Sequence, residues 1–219
     1  MPQPRKVDRR IQRTRALLRT ALMQLIVDDD KPYDAITIQD ITDQANVART
    51  TFYLHFTDKD DLLFSTMRDI YEELFLQDAA IGYQSIEDLR GVTPDNCEAT
   101  DFEHVEQYAD FYRIMLGERG SAAFLSRVRD YLAVSISETM IKNLLPPDKE
   151  PIVPIEVIAY AIAGAHIGVI KWWLDADMPV SAKHISYQLY SILTPGLLLG
   201  LNADTDAIID LLKITQPSV

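Results

Sequence analysis

Five side chains between Arg49 and His55 carry groups suited to nucleic acid. They are an arginine, two threonines, a tyrosine and a histidine: Arg49, Thr50, Thr51, Tyr53 and His55. Guanidinium, hydroxyl and imidazole groups donate hydrogen bonds to phosphate oxygens, and an arginine also reads the edges of bases. A short solvated helix would be expected to carry Glu and Lys at these positions. The residue types therefore indicate contact with DNA.

Two short helices joined by a tight turn would position these side chains. Thr37 followed three residues later by Asp40 predicts a capping box at the start of the first helix. Asn46 predicts a sharp turn, because asparagine enters the left-handed region at low cost. Apolar residues have helical spacing in both helices: Ile38, Ile41 and Ala45 in the first, and Val47, Phe52 and Phe56 in the second. The sequence thus predicts a helix-turn-helix whose recognition segment is Ala48 to His55.

The recognition segment leads into a second motif. The run Thr-Phe-Tyr-Leu-His-Phe at residues 51–56 is followed by Asp-Lys-Asp-Asp-Leu at residues 58–62. Together they resemble the signature of the TetR family of bacterial transcription regulators. Where this chain has Asn46, the family commonly has Gly, and where it has Ala48, the family commonly has Ser. The missing hydroxyl at Ala48 removes an N-cap worth about 1 kcal/mol.

The resemblance is closest over residues 14–64 and extends further along the chain. Lys171 to Leu174 and Met178 to Ser181 resemble the carboxy-terminal half of a TetR subgroup that shares the Thr-Phe-Tyr-Leu-His-Phe core. The resemblance implies a homodimeric, ligand-responsive regulator that binds a palindromic double-stranded DNA operator. Repression is the commoner outcome in the family, and activation stays open. By the same resemblance, phosphates are held by Thr37, Thr51, Tyr53, His55 and Lys59, whereas Arg49 and Thr50 contact bases.

Charge is distributed unevenly along the chain. The first twenty residues contain seven basic side chains and one acidic one, a net charge of +6 within a total of −12, so the remainder carries −18. A basic arm on an acidic body fits a protein that touches phosphates at one end only. The alternative is a solvated basic tail.

The remaining composition describes a globular protein in a reducing compartment. Apolar residues make up 47% of the chain, and Cys97 is its single cysteine. No signal peptide is recognised, so a cytoplasmic location is expected. Ile155 to Leu174 is long enough to span a membrane, but Glu156, His166 and Lys171 interrupt it. We interpret it as a buried, central helix and expect no membrane partner.

The periodicity predicts an all-α fold with an N-terminal three-helix DNA-binding domain and a larger helical domain for ligand binding and dimerisation. The expected division is residues 1–60 and 61–219. Residues 82–100 predict mostly loop. Predicted helices span about 8–27, from 58 onward, 102–116, 121–145 (stopped by Pro146), 155–174, 181–193 (ended or kinked by Pro195) and 204–214.

Two further sites follow from the helical body. Small residues and a tryptophan share one face of the 155–174 helix and suit close helix packing: Ala161, Gly164, Gly168 and Trp172. In TetR relatives the last long helices pair across a two-fold axis, so the resemblance implies a dimer contact at this face or its neighbour, with intrachain packing as the alternative. Effector contacts are predicted at Tyr108, Tyr112, Met115, His166 and Trp173, although such residues are more often core.

No arrangement of side chains indicates catalysis. The histidines are scattered at positions 55, 104, 166 and 184, and no glycine-rich phosphate loop or nucleophile motif is present. The sequence therefore predicts no enzyme, no cofactor and no metal site, and leaves the effector unidentified. Two alternatives remain: a co-regulator of the same fold that acts through protein contacts with weak DNA binding, and an all-helical enzyme.

Overall fold

A computed structural model describes residues 9–28, 31–81, 85–145 and 148–203. These residues form α-helices joined by turns, with no strand among them, so the all-α prediction is confirmed. The helices are α1 (Arg9–Asp28), α2 (Ile38–Gln44), α3 (Arg49–Phe52), α4 (Lys59–Ile81), α5 (Ile86–Arg90), α6 (Thr100–Gln107), α7 (Ala109–Met115), α8 (Ala122–Ile136), α9 (Lys142–Leu144), α10 (Ile155–Asp175) and α11 (Ala182–Gly200). A 3-10 turn covers Tyr33–Ala35, and a π-helical turn, Ser137–Ile141, joins α8 to α9.

The chain divides into two compact units. The first unit comprises Met1–Tyr71 and Asp110–Leu125, and the second comprises Glu72–Ala109 and Ser126–Val219. The first unit therefore includes the beginning of α4 and the turn between α7 and α8, in addition to the segment expected to bind DNA. The predicted boundary after residue 60 stays a prediction.

The core of the first unit is built from apolar side chains of α1 to α4 and of α7. It includes Leu18, Leu22, Ile26, Ile41, Phe52, Leu62 and Leu63, all almost completely buried. On α1 these residues recur every three or four positions, which places them on one face of the helix. The helix thus buries one apolar stripe, which the half-buried Arg15 and Arg19 border, whereas Arg9, Arg10 and Arg13 are exposed.

Two predicted helices are interrupted in the structure. The expected helix 102–116 is divided into α6 and α7 at Tyr108, whose φ of −116° and ψ of 33° leave the helical region. The break lies where the chain passes from the second unit to the first, so the two halves bury side chains in different cores. The helix expected over 121–145 continues as α8, the π-helical turn and α9. It ends at Leu144, as Pro146 predicts, because a residue before proline avoids the helical region.

The loop expected over residues 82–100 contains the short helix α5. Ser85 and Asp88 form a capping box at its start, with the Ser85 amide donating to Asp88 Oδ2 at 2.9 Å. The same Ser-x-x-Asp spacing is present in the sequence and could have predicted this helix. The helix predicted over 204–214 lies outside the described residues.

The prediction that Pro195 ends or kinks the penultimate helix was wrong about its end. Helix α11 continues to Gly200, and Leu197 and Leu198 beyond the proline are buried. A proline inside a helix costs about 3 kcal/mol, whereas burying each leucine contributes about 1.5–3 kcal/mol. Packing therefore outweighs the local penalty. A Cβ on Gly200 would lie 2.9 Å from Ile158 Cδ1, so glycine permits the close approach of α10 and α11.

Helix α10 is less central than predicted. Its Ile158, Ala163, Ile170 and Trp173 are buried, but Val157, Tyr160 and Trp172 are exposed. Among the described residues it is the one helix long and apolar enough to cross a membrane, a test that a core helix also passes. Helix α10 therefore has one apolar side open to solvent in the single chain.

Candidate nucleic-acid interface

The start of α2 has the predicted capping box. The Thr37 amide donates to Asp40 Oδ2 at 2.8 Å, and the Asp40 amide donates to Thr37 Oγ1 at 3.1 Å. These hydrogen bonds from Thr37 lower the pKa of the Asp40 carboxyl, so the cap is formed at neutral pH. The Thr37 hydroxyl also donates to Asp40 at 2.8 Å. Its oxygen is thus occupied by the cap.

The turn between α2 and α3 depends on Asn46. Its φ of 52° lies in the left-handed region, as predicted from the sequence. The Asn46 amide donates to the Asp43 carbonyl at 3.1 Å, and the Val47 amide donates to the Thr42 carbonyl at 2.9 Å. The turn therefore has a defined geometry that sets the direction of α3.

Two phenylalanines anchor the recognition segment. Phe52 and Phe56 are almost completely buried, with ring centroids 5.8 Å apart. The N-cap position of α3 is Ala48, which makes no side-chain cap bond, as its sequence predicts. Helix α3 has little stability of its own because it is one turn long. Burial of the two rings therefore stabilises α3 in the absence of a side-chain N-cap bond.

The opposite side of the segment is open to solvent. Arg49, Thr50 and Tyr53 are exposed, whereas Thr51 and His55 are half-buried. An Arg49 Nη2 donates to the Tyr53 hydroxyl at 3.4 Å, and the Arg49 guanidinium carbon lies 5.9 Å from the Tyr53 ring centroid. A guanidinium held beside a phenol presents several donors in one direction. This geometry suits phosphate oxygens and base edges.

Lys59 has partners that the sequence did not indicate. Its Nζ donates to the carbonyls of Tyr33, Asp34 and Ile36 at 2.8, 3.0 and 2.9 Å. Burial lowers the pKa of the Lys59 ammonium, while the carboxylates of Asp34 and Asp60 oppose that shift. The three ammonium donors thus join the first turn of α4 to the segment before α2. A phosphate contact by Lys59 stays a prediction that requires exchange of one of these bonds.

Tyr33 is the centre of the same cluster. Its hydroxyl donates to Asp60 Oδ1 at 2.5 Å, and its amide donates to the Arg119 carbonyl at 2.8 Å. Burial and the bond to Asp60 raise the pKa of Tyr33, so the phenol stays protonated. An Arg119 Nη2 donates in turn to the Lys31 carbonyl at 3.3 Å. The turn between α7 and α8 is therefore bonded to the segment that precedes the helix-turn-helix.

The basic arm lies partly in α1. Arg9, Arg10 and Arg13 are exposed, and the Arg15 guanidinium lies 4.8 Å from the Phe56 ring centroid. Arg19 pairs with Asp69 of α4. Arg5 and Lys6 lie outside the described residues. Exposed arginines therefore accompany the recognition segment in the first unit.

The predicted effector residues are distributed over both units. Tyr112 and Met115 are buried in the first unit, whereas the second unit contains Tyr108, His166 and Trp173. Trp173 is fully buried, and its indole N–H donates to the Val180 carbonyl at 2.9 Å. Tyr108 is exposed. Such a spread does not by itself define one ligand site.

His166 is held by a carboxylate. Its Nε2 lies 2.6 Å from Asp101 Oδ2, and Phe102 and His166 have ring centroids 5.2 Å apart. Burial alone would raise the pKa of Asp101, but the charge and hydrogen bond of His166 outweigh it and lower the pKa. This pair joins α6 to α10 within the second unit.

The predicted dimer residues form an open surface. We call Ala161, Gly164, Gly168 and Trp172 the α10 face. A Cβ built on Gly164 or Gly168 would meet nothing within 4 Å, and Trp172 is 54% exposed. Ile192 and Leu199 on α11 are 73% and 60% exposed. The intrachain-packing alternative would require neighbours that the described residues do not place there.

One residue of the recognition segment was missed by the sequence interpretation. Leu54 is 79% exposed, more than any other large apolar side chain among the described residues. A search for polar groups passes over leucine. Its place inside the predicted recognition segment, between Tyr53 and His55, was the available signal.

Comparisons with known proteins identify relatives of two regions of the chain. Residues 17–66 match the family described as bacterial regulatory proteins of the tetR family, and residues 100–195 match a transcriptional regulator C-terminal region. A stretch of 59 residues is 41% identical to the uncharacterized HTH-type transcriptional regulator YxbF of Bacillus subtilis strain 168. That match covers 27% of this chain and 15% of YxbF, so it concerns a short region of the relative.

Solved structures share the fold over most of the chain. A TetR transcriptional regulator from Streptococcus agalactiae 2603V is 24% identical, with a TM-score of 0.57 over 85% of this chain and 96% of that one. The regulator FadR from Bacillus subtilis, solved in complex with stearoyl-CoA, is 16% identical, with a TM-score of 0.51 over 81% and 96%. The two matched regions, in this order on an all-α fold, place the chain in the TetR family of transcriptional regulators.

Proposed function

We propose that the protein regulates transcription, most simply as a repressor, by binding a palindromic operator as a homodimer. The observation that carries the proposal is the exposed set of Arg49, Thr50 and Tyr53 on a short helix fixed by its buried side. Polar and cationic groups held in one direction are what groove and phosphate contacts require. The acidic remainder of the chain leaves this end as the one suited to DNA.

The residues divide into two roles. Arg49 and Thr50 contact base edges, and Thr51, Tyr53 and His55 contact phosphates. Thr37 also contributes to phosphate binding, and Lys59 does so by exchanging one of its three carbonyl bonds for a phosphate oxygen. The half-buried positions of Thr51 and His55 suit contacts at the edge of the recognition segment.

Dimerisation through the α10 face and the neighbouring part of α11 would supply the second recognition helix. Two recognition helices must lie roughly 34–36 Å apart to enter successive major grooves. Small residues let helices approach closely, and Trp172, Ile192 and Leu199 offer apolar area that a second copy would bury. The same contact accounts for the exposed side of α10.

An organic effector bound by the larger helical domain would alter the distance between the recognition helices of the two protomers. The candidates are Tyr108, Tyr112, Met115, His166 and Trp173. The FadR complex with stearoyl-CoA supports the idea that this fold accepts such a ligand. A DNA partner and a single cysteine fit a cytoplasmic location.

Selection of bound sequences from a random duplex library tests the proposal. We expect a palindrome to be enriched, and log K to fall linearly with log salt by about 0.9 per phosphate contact. A co-regulator that acts through protein contacts would enrich no sequence. It would also show little salt dependence in a mobility-shift measurement on genomic fragments.

A further inference from the structure

The Leu54 side chain is exposed to solvent, although its backbone is hydrogen-bonded within the recognition segment. Its amide donates to the Thr51 carbonyl at 3.2 Å, and the Phe56 amide donates to the Phe52 carbonyl at 3.0 Å. The buried rings of Phe52 and Phe56 lie on either side of it in sequence. Because these neighbours point into the core, Leu54 points away from it. Its exposure is thus set by the fold of the segment.

The surroundings of Leu54 are polar and cationic. Thr50, four residues earlier in the same segment, is also exposed. Arg49 and Tyr53 form the parallel pair beside them. Exposed arginines of α1 belong to the same unit. An apolar protein partner would have to desolvate these groups, whereas a DNA groove supplies acceptors for them.

One group on the base edges of the major groove is apolar, the C5-methyl of thymine. The exposed Leu54 side chain is complementary to that methyl, and the Arg49–Tyr53 pair in the same segment offers donors to the polar groups around it. We propose that Leu54 contacts a thymine C5-methyl in each half-site of the operator. This inference rests on the proposed function and adds an apolar determinant of specificity to it.

Replacement of thymine by uracil removes that methyl and leaves base pairing unchanged. The operator selected by the full-length protein is synthesised with uracil at one thymine at a time. We expect one position per half-site at which affinity falls about fourfold, the value of burying one methyl-sized group. With Leu54→Ala, affinity for the thymine operator should fall, and the same uracil replacement should have no further effect.

Leu17→Ala is the matched control, because Leu17 is a partly exposed leucine on α1 in the same unit. It should keep the fourfold response to uracil. Leu54→Ala should have an unchanged melting temperature, since the side chain is exposed. A melting temperature that falls with the truncation would mean that Leu54 supports the fold, and would overturn the inference.

The remaining outcomes separate this inference from the proposed function. If wild type enriches a palindrome but Leu54→Ala keeps the full response to every uracil, the methyl contact is refuted while operator binding stands. A Leu54→Ala protein that weakens all sequences equally would assign Leu54 to the sugar–phosphate backbone, which also overturns the inference. If wild type enriches no sequence, the proposed function fails, and this inference fails with it.

Discussion

We call the exposed Arg49, Thr50 and Tyr53 the α3 surface. The α3 surface and the α10 face are both open in the single chain, but they are opposite in chemistry. The first is one helical turn with a guanidinium, a hydroxyl and a phenol, fixed by the rings beneath it. The second lies on a helix of 21 residues and offers glycines, an alanine and a tryptophan. Exposure alone therefore says little about a partner. Polar donors in one direction suit DNA, and a smooth apolar face suits another helix.

The largest effect is expected from Gly168→Leu, which tests the α10 face. A leucine in place of glycine favours an isolated helix by about 0.8–1 kcal/mol, and no neighbour obstructs it in one chain. If a second copy packs there, the variant should become monomeric and lose operator binding. Sedimentation and a thermal melt measure both.

Gly91→Leu is the control, because Gly91 is exposed and its added Cβ would meet only the Asp88 carbonyl oxygen, at 3.6 Å. It should leave assembly unchanged. A Gly168→Leu protein that stays dimeric and melts at a higher temperature would remove the α10 face from the interface. A wild type that sediments as a monomer at micromolar concentration would end the dimer proposal.

Lys59→Met tests what holds the α3 surface in place. The substitution removes an ammonium that bonds three carbonyls, and we expect a loss of about 1–3 kcal/mol in the free energy of unfolding. Lys142→Met is the control, since Lys142 makes a surface pair with Glu138 and should change stability by less than about 0.5 kcal/mol. Unchanged stability with a salt slope reduced by about 0.9 would instead make Lys59 chiefly a phosphate contact.

Arg49→Ala tests whether the α3 surface reads bases. A bidentate contact to guanine is worth about 1–3 kcal/mol, and its loss should relax the preference at one base pair per half-site. Affinities for operators changed at single positions provide the measurement. An equal loss for every sequence would make Arg49 a phosphate contact and leave base reading to Thr50 and Leu54.

Asp101→Asn tests the link between α6 and α10, the helix that carries the apolar face. Because the folded protein lowers the pKa of Asp101, the pair stabilises the fold above the ordinary carboxylate pKa of about 4 and loses this effect as pH falls through the lowered value. The variant should melt below wild type at pH 7, and the gap should close in acid. A gap that is constant with pH would assign the effect to packing.

The smallest effect is expected from Ala48→Ser, which restores the hydroxyl at the start of α3. The backbone at Ala48 has the extended conformation of an N-cap, with ψ of 141°. We expect a gain of about 0.5–1 kcal/mol in the free energy of unfolding. Ala45→Ser, at a buried position, should instead destabilise the protein. No gain at Ala48 would show that the buried rings alone determine the position of α3.

Features with local causes could be predicted from the sequence. The capping box at Thr37, the left-handed Asn46, the uncapped Ala48 and the buried Phe52 all depend on residues within a few positions of one another. The partners of Lys59 lie 23 to 26 residues away, and nothing in the spacing identifies backbone carbonyls as acceptors. The continuation of α11 past Pro195 could not be predicted from the sequence either, because it depends on the burial of Leu197 and Leu198 in the folded protein. Leu54 was missed because its chemistry depends on exposure.

The hydrogen bond between the Tyr33 amide and the Arg119 carbonyl matters when DNA-binding domains are exchanged between regulators. The first unit is assembled from two separate stretches of chain, and the second stretch includes Arg119. In a chimera that takes residues 1–66 from this protein and the rest from another regulator, the turn between α7 and α8 would come from the other regulator. Tyr33 would then lose its own partner in that turn, Arg119. To keep the first unit complete, such a chimera would also take residues 110–125 from this protein. The unit to be transferred is therefore larger than the helix-turn-helix, and it is discontinuous in the sequence.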